Sequence, residues 1–281
     1  MLSENRVKEL KRFAIEIRRK TVEEIATLGI GHVGGCMSIC ELMACLYGEI
    51  LNIDPKNPKW SERDRFIMSK GHAGPTMYAA LALKGFFPVE QLKTLNLPNT
   101  CLPSHTDHNK TLGVDMTTGS LGQGFSTGVG VALGCKLNRC NNKVYILIGD
   151  GEAQEGQVWE AAMFSAHYKL SNLILFIDKN GRQLDGPTEK VMNIGNIGNK
   201  FREFGWFVQN VDDGHNVKLI CDAVENAKNN NEIPSAIVLN TVKGKDCPAC
   251  DRVINNHNMS LSMMDYVEVC DLLDKQLEKL N

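Results

Sequence analysis

The sequence contains no apolar run that approaches the length of a membrane span, and its charges nearly cancel. The 31 Lys and Arg residues against 33 Asp and Glu residues give a net charge of −2, so no global attraction to nucleic acid or to an anionic membrane is expected. The first residues, Met-Leu-Ser-Glu-Asn, are polar and lack the apolar core of a signal peptide. We therefore expect a cytoplasmic protein that binds neither nucleic acid nor membrane.

The ten cysteines offer little evidence of a metal or disulfide framework. Only Cys247-Pro248-Ala249-Cys250 has the spacing of half a zinc site or of a redox dithiol. No second cysteine pair and no histidine with ligand spacing follows closely, although structural zinc needs four ligands. The sequence therefore predicts a loop that carries two free thiols.

Strands and helices alternate along the 281 residues, which we interpret as a single domain over residues 1–281. Such alternation predicts an α/β fold, a doubly wound parallel sheet with helices on both faces. A long loop without periodicity is predicted over residues 98–118. Helices are predicted over residues 3–28, 38–51, 73–84, 89–96, 121–137, 199–204, 217–229 and 260–280, and strands over residues 65–69, 144–148, 173–178, 206–211 and 235–242.

Residues 144–186 are the most informative segment of the chain. A β-branched strand runs into Gly149-Asp150-Gly151, a helix is expected to open near Glu152, and Asn180 follows the next strand. Glycines leave room for a ligand to approach the backbone, and free N–H groups at a helix start favour phosphate. A carboxylate and an amide oxygen form half of an octahedral Mg²⁺ shell, which phosphate oxygens can complete. The segment therefore predicts a magnesium site shared with a phosphate ligand.

Five of the seven histidines lie beside glycines or in loops, not on helix faces, and four of them are His32, His72, His105 and His257. Ligands bind parallel sheets at the carboxyl ends of the strands, where Asp150, Asn180 and the pair Gly214-His215 also fall. Together the histidines suggest a cluster of imidazoles for phosphate contacts, hydroxyl contacts and proton transfer.

These motifs resemble those of one family. Gly-Asp-Gly followed by Asn180 resembles the motif that binds magnesium and thiamin diphosphate, and the Gln-Glu-Gly at residues 154–156 brings it closest to transketolases. Gly-His-Val-Gly-Gly at residues 31–35, Arg-Asp-Arg-Phe-Ile-Met-Ser-Lys-Gly-His-Ala at 63–73 and Thr-Thr-Gly-Ser-Leu-Gly-Gln-Gly at 117–124 resemble transketolase loops in the same order. The resemblance extends over nearly the whole chain.

The resemblance implies two cofactors, thiamin diphosphate and Mg²⁺, and a role for each matching residue. The metal ligands would be Asp150, Asn180 and the main-chain carbonyl of Arg182. The catalytic residues would be His32 and His105 toward the hydroxyls of the donor sugar, His257 near the reacting carbon, and Glu155 in a carboxylate relay between two sites. The residues around thiamin diphosphate would be His72, Gly119, Leu121, Gly149, Asp150, Gly151, Glu152, Asn180 and His257.

Full-length transketolases continue for several hundred residues beyond the part that this chain resembles. The remainder carries the pyrimidine-binding domain with the Glu that hydrogen-bonds the cofactor ring. The resemblance is therefore to the N-terminal subunit of a split transketolase, which transfers a two-carbon ketol unit between sugar phosphates. It implies that the partner is a C-terminal transketolase subunit, that the two form an α₂β₂ assembly, and that this chain has negligible activity by itself.

Three other interpretations remain open at this stage. A transketolase-like subunit for an unusual donor, such as a branched or sulfonated sugar, has the same motifs. The α-chain of another thiamin diphosphate enzyme shares Gly-Asp-Gly and the Asn, but not the four histidines. A regulatory module that binds nucleotides would be favoured by a Gly-x-Gly-x-x-Gly turn after the first strand, and the sequence has none there.

Overall fold

Five parallel strands form the central sheet of the computed structural model, which describes residues 2–280. Along the sheet the order is β1-β2-β3-β5-β4, and every neighbouring pair is parallel. The strands are β1 (Arg65–Met68), β2 (Val144–Gly149), β3 (Leu173–Lys179), β4 (Phe207–Val211) and β5 (Ser235–Asn240).

Helices cover both faces of this sheet. They are α1 (Glu4–Leu28), α2 (Val33–Met37), α3 (Cys40–Cys45), α4 (Gly74–Lys84), α5 (Gln123–Leu137), α6 (Gly156–His167), α7 (Thr188–Val191), α8 (Ile197–Glu203), α9 (Val217–Asn229), α10 (Pro248–Asp251) and α11 (Met263–Glu278). None of the helices within residues 2–280 is both long enough and apolar enough to cross a membrane.

Alternation along the strands divides the core into two layers. Tyr145 and Leu147 of β2 face a cluster that includes α1, α3, α4 and α9. Ile146 and Ile148 face the opposite cluster, which includes α5, α6 and α8. Successive side chains of a strand point to opposite faces, so a strand that is apolar throughout must be covered on both. The predicted α/β fold with a parallel sheet and helices on both faces is confirmed.

Several predicted helices begin later or are less regular than expected. The helix predicted over residues 38–51 is α3 followed by a wider turn, Leu46–Ile50, in which the amide of Leu51 bonds the carbonyl of Leu46. The segment predicted as helix over residues 89–96 is a 3₁₀ helix, Val89–Thr94. The predicted irregular loop over residues 98–118 is confirmed.

Two helix starts were placed too early for identifiable reasons. α5 begins at Gln123 because Gly122 has φ +82°, outside helical geometry, and a Cβ there would meet the side chain of Gln157 at 2.7 Å. The last helix begins at Met263, after Ser262 and Asp265 form a reciprocal capping box. The short strand Met259–Ser260, predicted in part as helix, instead pairs with Ile30–Gly31.

Candidate active site

A cleft with a volume of about 420 Å³ opens at the carboxyl edge of the sheet. It lies where β1, β2, β3 and β5 end, as ligand sites in parallel sheets do. All thirteen site residues predicted from the sequence line this cleft: His32, His72, His105, Gly119, Leu121, Gly149, Asp150, Gly151, Glu152, Glu155, Asn180, Arg182 and His257. The structure thus brings together residues from distant segments of the chain, while their individual roles stay predictions.

Asp150 lies at the tip of the turn after β2 and is 3% exposed. Its carboxylate accepts hydrogen bonds from the amide of Gly151 at 2.9 Å and from the amide of Gly181 at 2.6 Å. Burial raises the pKa of Asp150 to about 6, and the nearby charge of Asp178 adds to the rise. A bound cation would offset this cost, because opposite charge favours the ionised carboxylate.

The amide of Asn180 is held in one orientation. Its Nδ2 donates to Oδ2 of Asp178 at 2.9 Å, and its Oδ1 accepts from the amide of Arg182 at 3.1 Å. The guanidinium of Arg182 donates to the carbonyl of Ile254 at 3.2 Å, away from the neighbouring ligand groups. The contact of the Arg182 main-chain carbonyl with a cation stays a prediction, and that oxygen lies 3.5 Å from Nζ of Lys243.

No group of three or more His, Cys, Asp or Glu residues within residues 2–280 has the arrangement of a metal site. A cation in this cleft therefore depends on one carboxylate with amide and carbonyl oxygens. That donor set is hard and oxygen-only, and it leaves positions for the oxygens of a phosphate ligand, as Mg²⁺ prefers. The residues present fit a magnesium ion shared with a diphosphate.

Asp178, at the end of β3, is fully buried below the cleft and accepts hydrogen bonds from several side chains. Its Oδ2 accepts from Nζ of Lys70 at 2.6 Å and from Oγ of Ser38 at 2.8 Å, and its Oδ1 accepts from the hydroxyl of Thr241. Burial raises the pKa of Asp178, but the charge and hydrogen bond of Lys70 outweigh that effect and lower it overall. Because Asn180 also donates to Asp178, this ion pair fixes a predicted metal ligand.

Glu152 lies in the same cleft, but its side chain holds the protein backbone. One carboxylate oxygen accepts from the hydroxyl of Ser69 and from the amide of Gly122 at 2.8 Å, and the other from the amide of Gly149 at 3.2 Å. These bonds tie three cleft-forming loops together. The expected helix start near Glu152 is wrong, because residues 152–154 form a single 3₁₀ turn and α6 begins only at Gly156.

The four predicted histidines form a cluster that lines another part of the same cleft. The ring centroid of His32 lies 5.5 Å from that of His72, 5.4 Å from that of His105 and 5.3 Å from that of His257. The rings of His72 and His257 are 4.8 Å apart. The predicted cluster of imidazoles is therefore present, although its members come from four distant segments.

Burial keeps these imidazoles neutral near pH 7. It lowers the pKa of His32 to about 4, with the charges of His105 and Lys243 contributing further, and it lowers that of His257 to about 3. Burial also lowers the pKa of His105, and that of His72 well below its ordinary value. Neutral imidazoles can accept a proton, as a general base must.

Two lysines of the cleft were missed as site residues. Lys70 belongs to the motif of residues 63–73, but only its pairing with Asp178 reveals its place. Lys243 follows β5, is 8% exposed, and its Nζ lies 3.1 Å from Nδ1 of His257 and 3.5 Å from the carbonyl oxygen of Arg182. Burial, together with the charge of Lys70, lowers the pKa of Lys243 to about 8. The sequence offered one signal for Lys243, namely that it directly follows the strand predicted over residues 235–242, where ligand sites lie.

The Cys-x-x-Cys pair lies outside the cleft; its thiols are free as predicted, but part of the predicted loop is helical. Cys247 and Cys250 are free but 1% and 2% exposed, and Pro248–Asp251 forms the short helix α10. The sulfur of Cys250 contacts that of Met259 at 3.8 Å. Proline at the first helical position starts this turn, because its missing N–H would be unpaired there in any case.

A cleft of acids, amides and imidazoles at the carboxyl edge of a parallel sheet is typical of an α/β enzyme. The family model described as "Transketolase, thiamine diphosphate binding domain" matches residues 10–271. The chain is 52% identical over 261 residues to the 6-deoxy-6-sulfo-D-fructose transketolase subunit SqwG of Clostridium sp. (strain MSTE9), over 93% of this chain and 94% of that subunit. It is 34% identical to an apulose-4-phosphate transketolase subunit of Phocaeicola vulgatus, over 94% and 93% of the two chains.

The solved structure of transketolase from Leishmania mexicana superimposes with a TM-score of 0.85 at 26% identity, over 96% of this chain and 45% of that one. The chain therefore belongs to the transketolase family and corresponds to its N-terminal subunit in split enzymes. The predicted resemblance and the class, a transferase of the transketolase type, are confirmed. The matches favour this family over the α-chain of another thiamin diphosphate enzyme and over a regulatory module.

Proposed function

We propose that this chain binds thiamin diphosphate with Mg²⁺ and forms one half of a site for two-carbon ketol transfer. The observation that carries the proposal is that Asp150, Asn180 and Arg182 line the same cleft as four neutral imidazoles. When bound, thiamin diphosphate supplies the electron sink for cleavage of a carbon–carbon bond.

The residues of this chain bind, orient and accept protons. Asp150, Asn180 and the Arg182 carbonyl would hold the metal, which would supply positive charge for the diphosphate. His72 and Lys243 lie in the same cleft, and the ammonium of Lys243 provides positive charge for phosphate oxygens. Glu152 holds the flanking loops together through its three hydrogen bonds.

The histidines act toward the sugar. His32 and His105 bind the donor's hydroxyls, and a neutral ring nitrogen takes the proton that a hydroxyl loses during cleavage. His257 holds a position near the reacting carbon, where burial and the charge of Lys243 keep its ring neutral by lowering its pKa. Glu155 is exposed at the rim of the cleft, which suits a relay toward a second site.

The partner is a C-terminal transketolase subunit, in an α₂β₂ assembly that completes each site. The relatives named as subunits support this proposal, because they match over nearly their whole length, whereas this chain spans 45% of the Leishmania mexicana enzyme. The assembly is cytoplasmic, which is supported by ten unpaired cysteines, as in proteins from a reducing compartment.

The donor is a ketose that carries a sulfonate at its far end. The identity of 52% to the 6-deoxy-6-sulfo-D-fructose transketolase subunit supports this choice over apulose 4-phosphate, whose transketolase subunit is 34% identical. Ordinary sugar phosphates, expected from the sequence, are the competing donors. All three have a terminal anion, but sulfonate carries one negative charge whereas phosphate carries up to two.

The metal and cofactor assignment is tested with Asp150→Ala. The variant should lose Mg²⁺-dependent binding of thiamin diphosphate by about 100-fold or more, because the site's only carboxylate ligand is removed. Titration calorimetry on the chain, with and without Mg²⁺, measures this. Asp185→Ala is the matched control, since Asp185 lines the same cleft but is not a proposed ligand. If Asp150→Ala bound thiamin diphosphate with unchanged affinity in the presence of Mg²⁺, the metal assignment would be wrong.

Ketol transfer is tested with the two separate subunits and with their mixture. We expect negligible activity from this chain by itself, restored activity in the mixture, and a higher kcat/KM for 6-deoxy-6-sulfofructose than for fructose 6-phosphate or apulose 4-phosphate. Light scattering on the same samples reports the assembly. Full activity of this chain without a partner would contradict the two-subunit site, and preference for a phosphate would reassign the donor.

A further inference from the structure

The segment that carries Lys243 into the cleft is held by a histidine that lies outside it. The amide of Val242 donates to Nε2 of His215 at 2.9 Å, and Nδ1 of His215 lies 2.9 Å from Oε2 of Glu41. Nε2 accepts a hydrogen bond from an amide through its lone pair, so Nε2 carries no proton and the ring proton is on Nδ1. The hydrogen-bond pattern therefore assigns one neutral tautomer to His215, with Nδ1–H donating to Glu41.

Glu41 is fixed in turn by a buried arginine. Arg18 is 1% exposed, and its guanidinium donates to Oε1 of Glu41 at 2.7 Å. Burial raises the pKa of Glu41, but the charge of Arg18 and the hydrogen bond from His215 lower it to about 2. The carboxylate is thus a permanent acceptor, which orients the imidazole as carboxylates orient histidines in many active sites.

The same arginine holds the far end of the segment. Arg18 lies 3.4 Å from Asp246, and the amide of Gly244 donates to the carbonyl of Gly34 at 3.0 Å. Lys243 is therefore flanked by one anchor at Val242 and another at Gly244. Its own side chain projects from this anchored backbone to His257, so a small shift of the Val242 amide moves the ammonium.

We propose that His215 is a positioning residue that acts through the Val242 amide to hold the ammonium of Lys243 in the cofactor cleft. It touches neither the cleft nor the proposed ligand. The consequence for thiamin diphosphate rests on the proposed function, whereas the positioning of Lys243 does not. The competing explanation is that His215, Glu41 and Arg18 only stabilise the fold.

Two substitutions separate the two bonds of the imidazole. His215→Gln retains an amide oxygen near Nε2, which can accept from Val242, whereas His215→Asn retains an amide donor near Nδ1, toward Glu41. We expect His215→Asn to weaken thiamin diphosphate binding about 5-fold, as for one lost hydrogen bond, and His215→Gln to stay close to wild type. His108→Asn, at an exposed histidine of the long loop, is the matched control.

A double-mutant cycle decides whether the effect passes through Lys243. In a Lys243→Met background, His215→Asn should cost no further affinity, because the positioned group is gone. The proposal would be overturned if His215→Asn and His215→Gln lost the same affinity for thiamin diphosphate and if those losses remained in the Lys243→Met background. His215 would then have a merely structural role.

Two measurements need no cofactor. ¹⁵N NMR of the imidazole should show a proton on Nδ1 and none on Nε2, and acylation of Lys243, followed by mass spectrometry, should change several-fold in rate in His215→Asn but not in His215→Gln. The opposite tautomer, or identical rates in all variants, would refute the positioning of Lys243. If both measurements come out as expected while the wild-type chain binds no thiamin diphosphate, the proposed function fails and the positioning role stands.

Discussion

The two walls of the cleft differ in how completely their polar groups are paired. On the carboxylate wall, Asp178 accepts four hydrogen bonds and Asp150 two, all from the protein itself. On the imidazole wall, the rings of His32 and His72 make no hydrogen bond to any residue in the range 2–280, whereas Nδ1 of His257 lies 3.1 Å from Nζ of Lys243 and Nδ1 of His105 lies 3.4 Å from Oγ of Ser104. The carboxylates are thus held by hydrogen bonds from the protein, and the ring nitrogens of His32 and His72 stay available for a substrate.

The same burial has opposite effects on the two walls. It raises the pKa of Asp150 to about 6 and lowers that of His32 to about 4, because burial disfavours charge of either sign. Asp178 differs from both, since Lys70 supplies a countercharge that lowers its pKa overall. We therefore expect changes on the carboxylate wall to affect folding and cofactor binding, and changes on the imidazole wall to affect turnover.

The largest effect is expected from Lys70→Met, which leaves Asp178 buried without its countercharge. Removing one partner of a buried ion pair costs about 3–5 kcal/mol of stability. Urea denaturation measures the loss. Lys179→Met, at an exposed lysine of the same edge, is the control and should change stability by less than about 0.5 kcal/mol. Adding Asp178→Asn to Lys70→Met should restore part of the loss, and a purely additive result would contradict the pairing argument.

His105→Ala should lower turnover while cofactor affinity stays nearly intact. A group that transfers protons contributes about 10²–10⁴-fold to rate, and one that acts in the transition state changes kcat and kcat/KM equally. Steady-state kinetics on the mixed subunits and calorimetry on this chain measure the two quantities. His108→Ala, in the same loop, is the control. A loss of cofactor binding in His105→Ala would contradict the view that the imidazole wall affects turnover and the carboxylate wall affects cofactor binding.

Glu24 differs from Asp150 and Asp178 because it is a buried acid whose carboxyl group has no hydrogen bond. It is 1% exposed, neither carboxylate oxygen has a hydrogen-bond partner among residues 2–280, and burial raises its pKa well above the ordinary 4.5. Between 4.5 and the raised pKa the folded chain binds a proton that the unfolded chain has lost. Its contribution to stability therefore falls as pH rises, by up to about 1.4 kcal/mol per unit.

Glu24→Gln should remove this dependence. We expect the variant to match wild type near pH 4.5 and to be the more stable of the two near pH 8, as measured by denaturant unfolding at both values. Glu278→Gln, at an exposed position of α11, should show no such trend. Parallel pH curves for wild type and Glu24→Gln would mean that the carboxyl finds a partner.

The smallest effect is expected from metal chelation and thiol alkylation at Cys247 and Cys250. Both thiols are buried and free, so a chelator should leave the melting temperature unchanged and alkylation should be slower than at exposed Cys140. Mass spectrometry after timed alkylation compares the sites. Stoichiometric zinc in purified protein by elemental analysis would overturn this expectation.

The sequence predicted the features that are local in the chain. The Gly149–Gly151 turn, Asn180, His32 and His72 carry their signal within a few residues, and all of them line the cleft. The exact helix starts were not predictable, because side chains from distant segments decide them. Glu152 illustrates this, since its carboxylate bonds Ser69 and Gly122 from distant segments, while residues 152–154 form a 3₁₀ turn ahead of α6.

The supporting network was not predictable for a related reason. Gly214-His215 was seen to follow a strand, yet nothing near it in sequence indicates Glu41 as its partner. The pairing of Lys70 with Asp178 likewise joins the ends of two strands that are far apart along the chain. Residue type and spacing identify groups that touch a ligand, whereas the groups that hold them in place are defined only by the tertiary structure.

The contact between His32 and His257 has a consequence for biosynthesis. Their rings are 5.3 Å apart, but one belongs to the first helix–loop unit and the other follows the last strand of the sheet. At a translation rate of about 5–20 residues per second, on the order of ten seconds or more separates their emergence from the ribosome. A nascent chain that has not yet emerged as far as His257 lacks one member of the imidazole cluster, so the complete cluster forms only after all five strands of the sheet have been made.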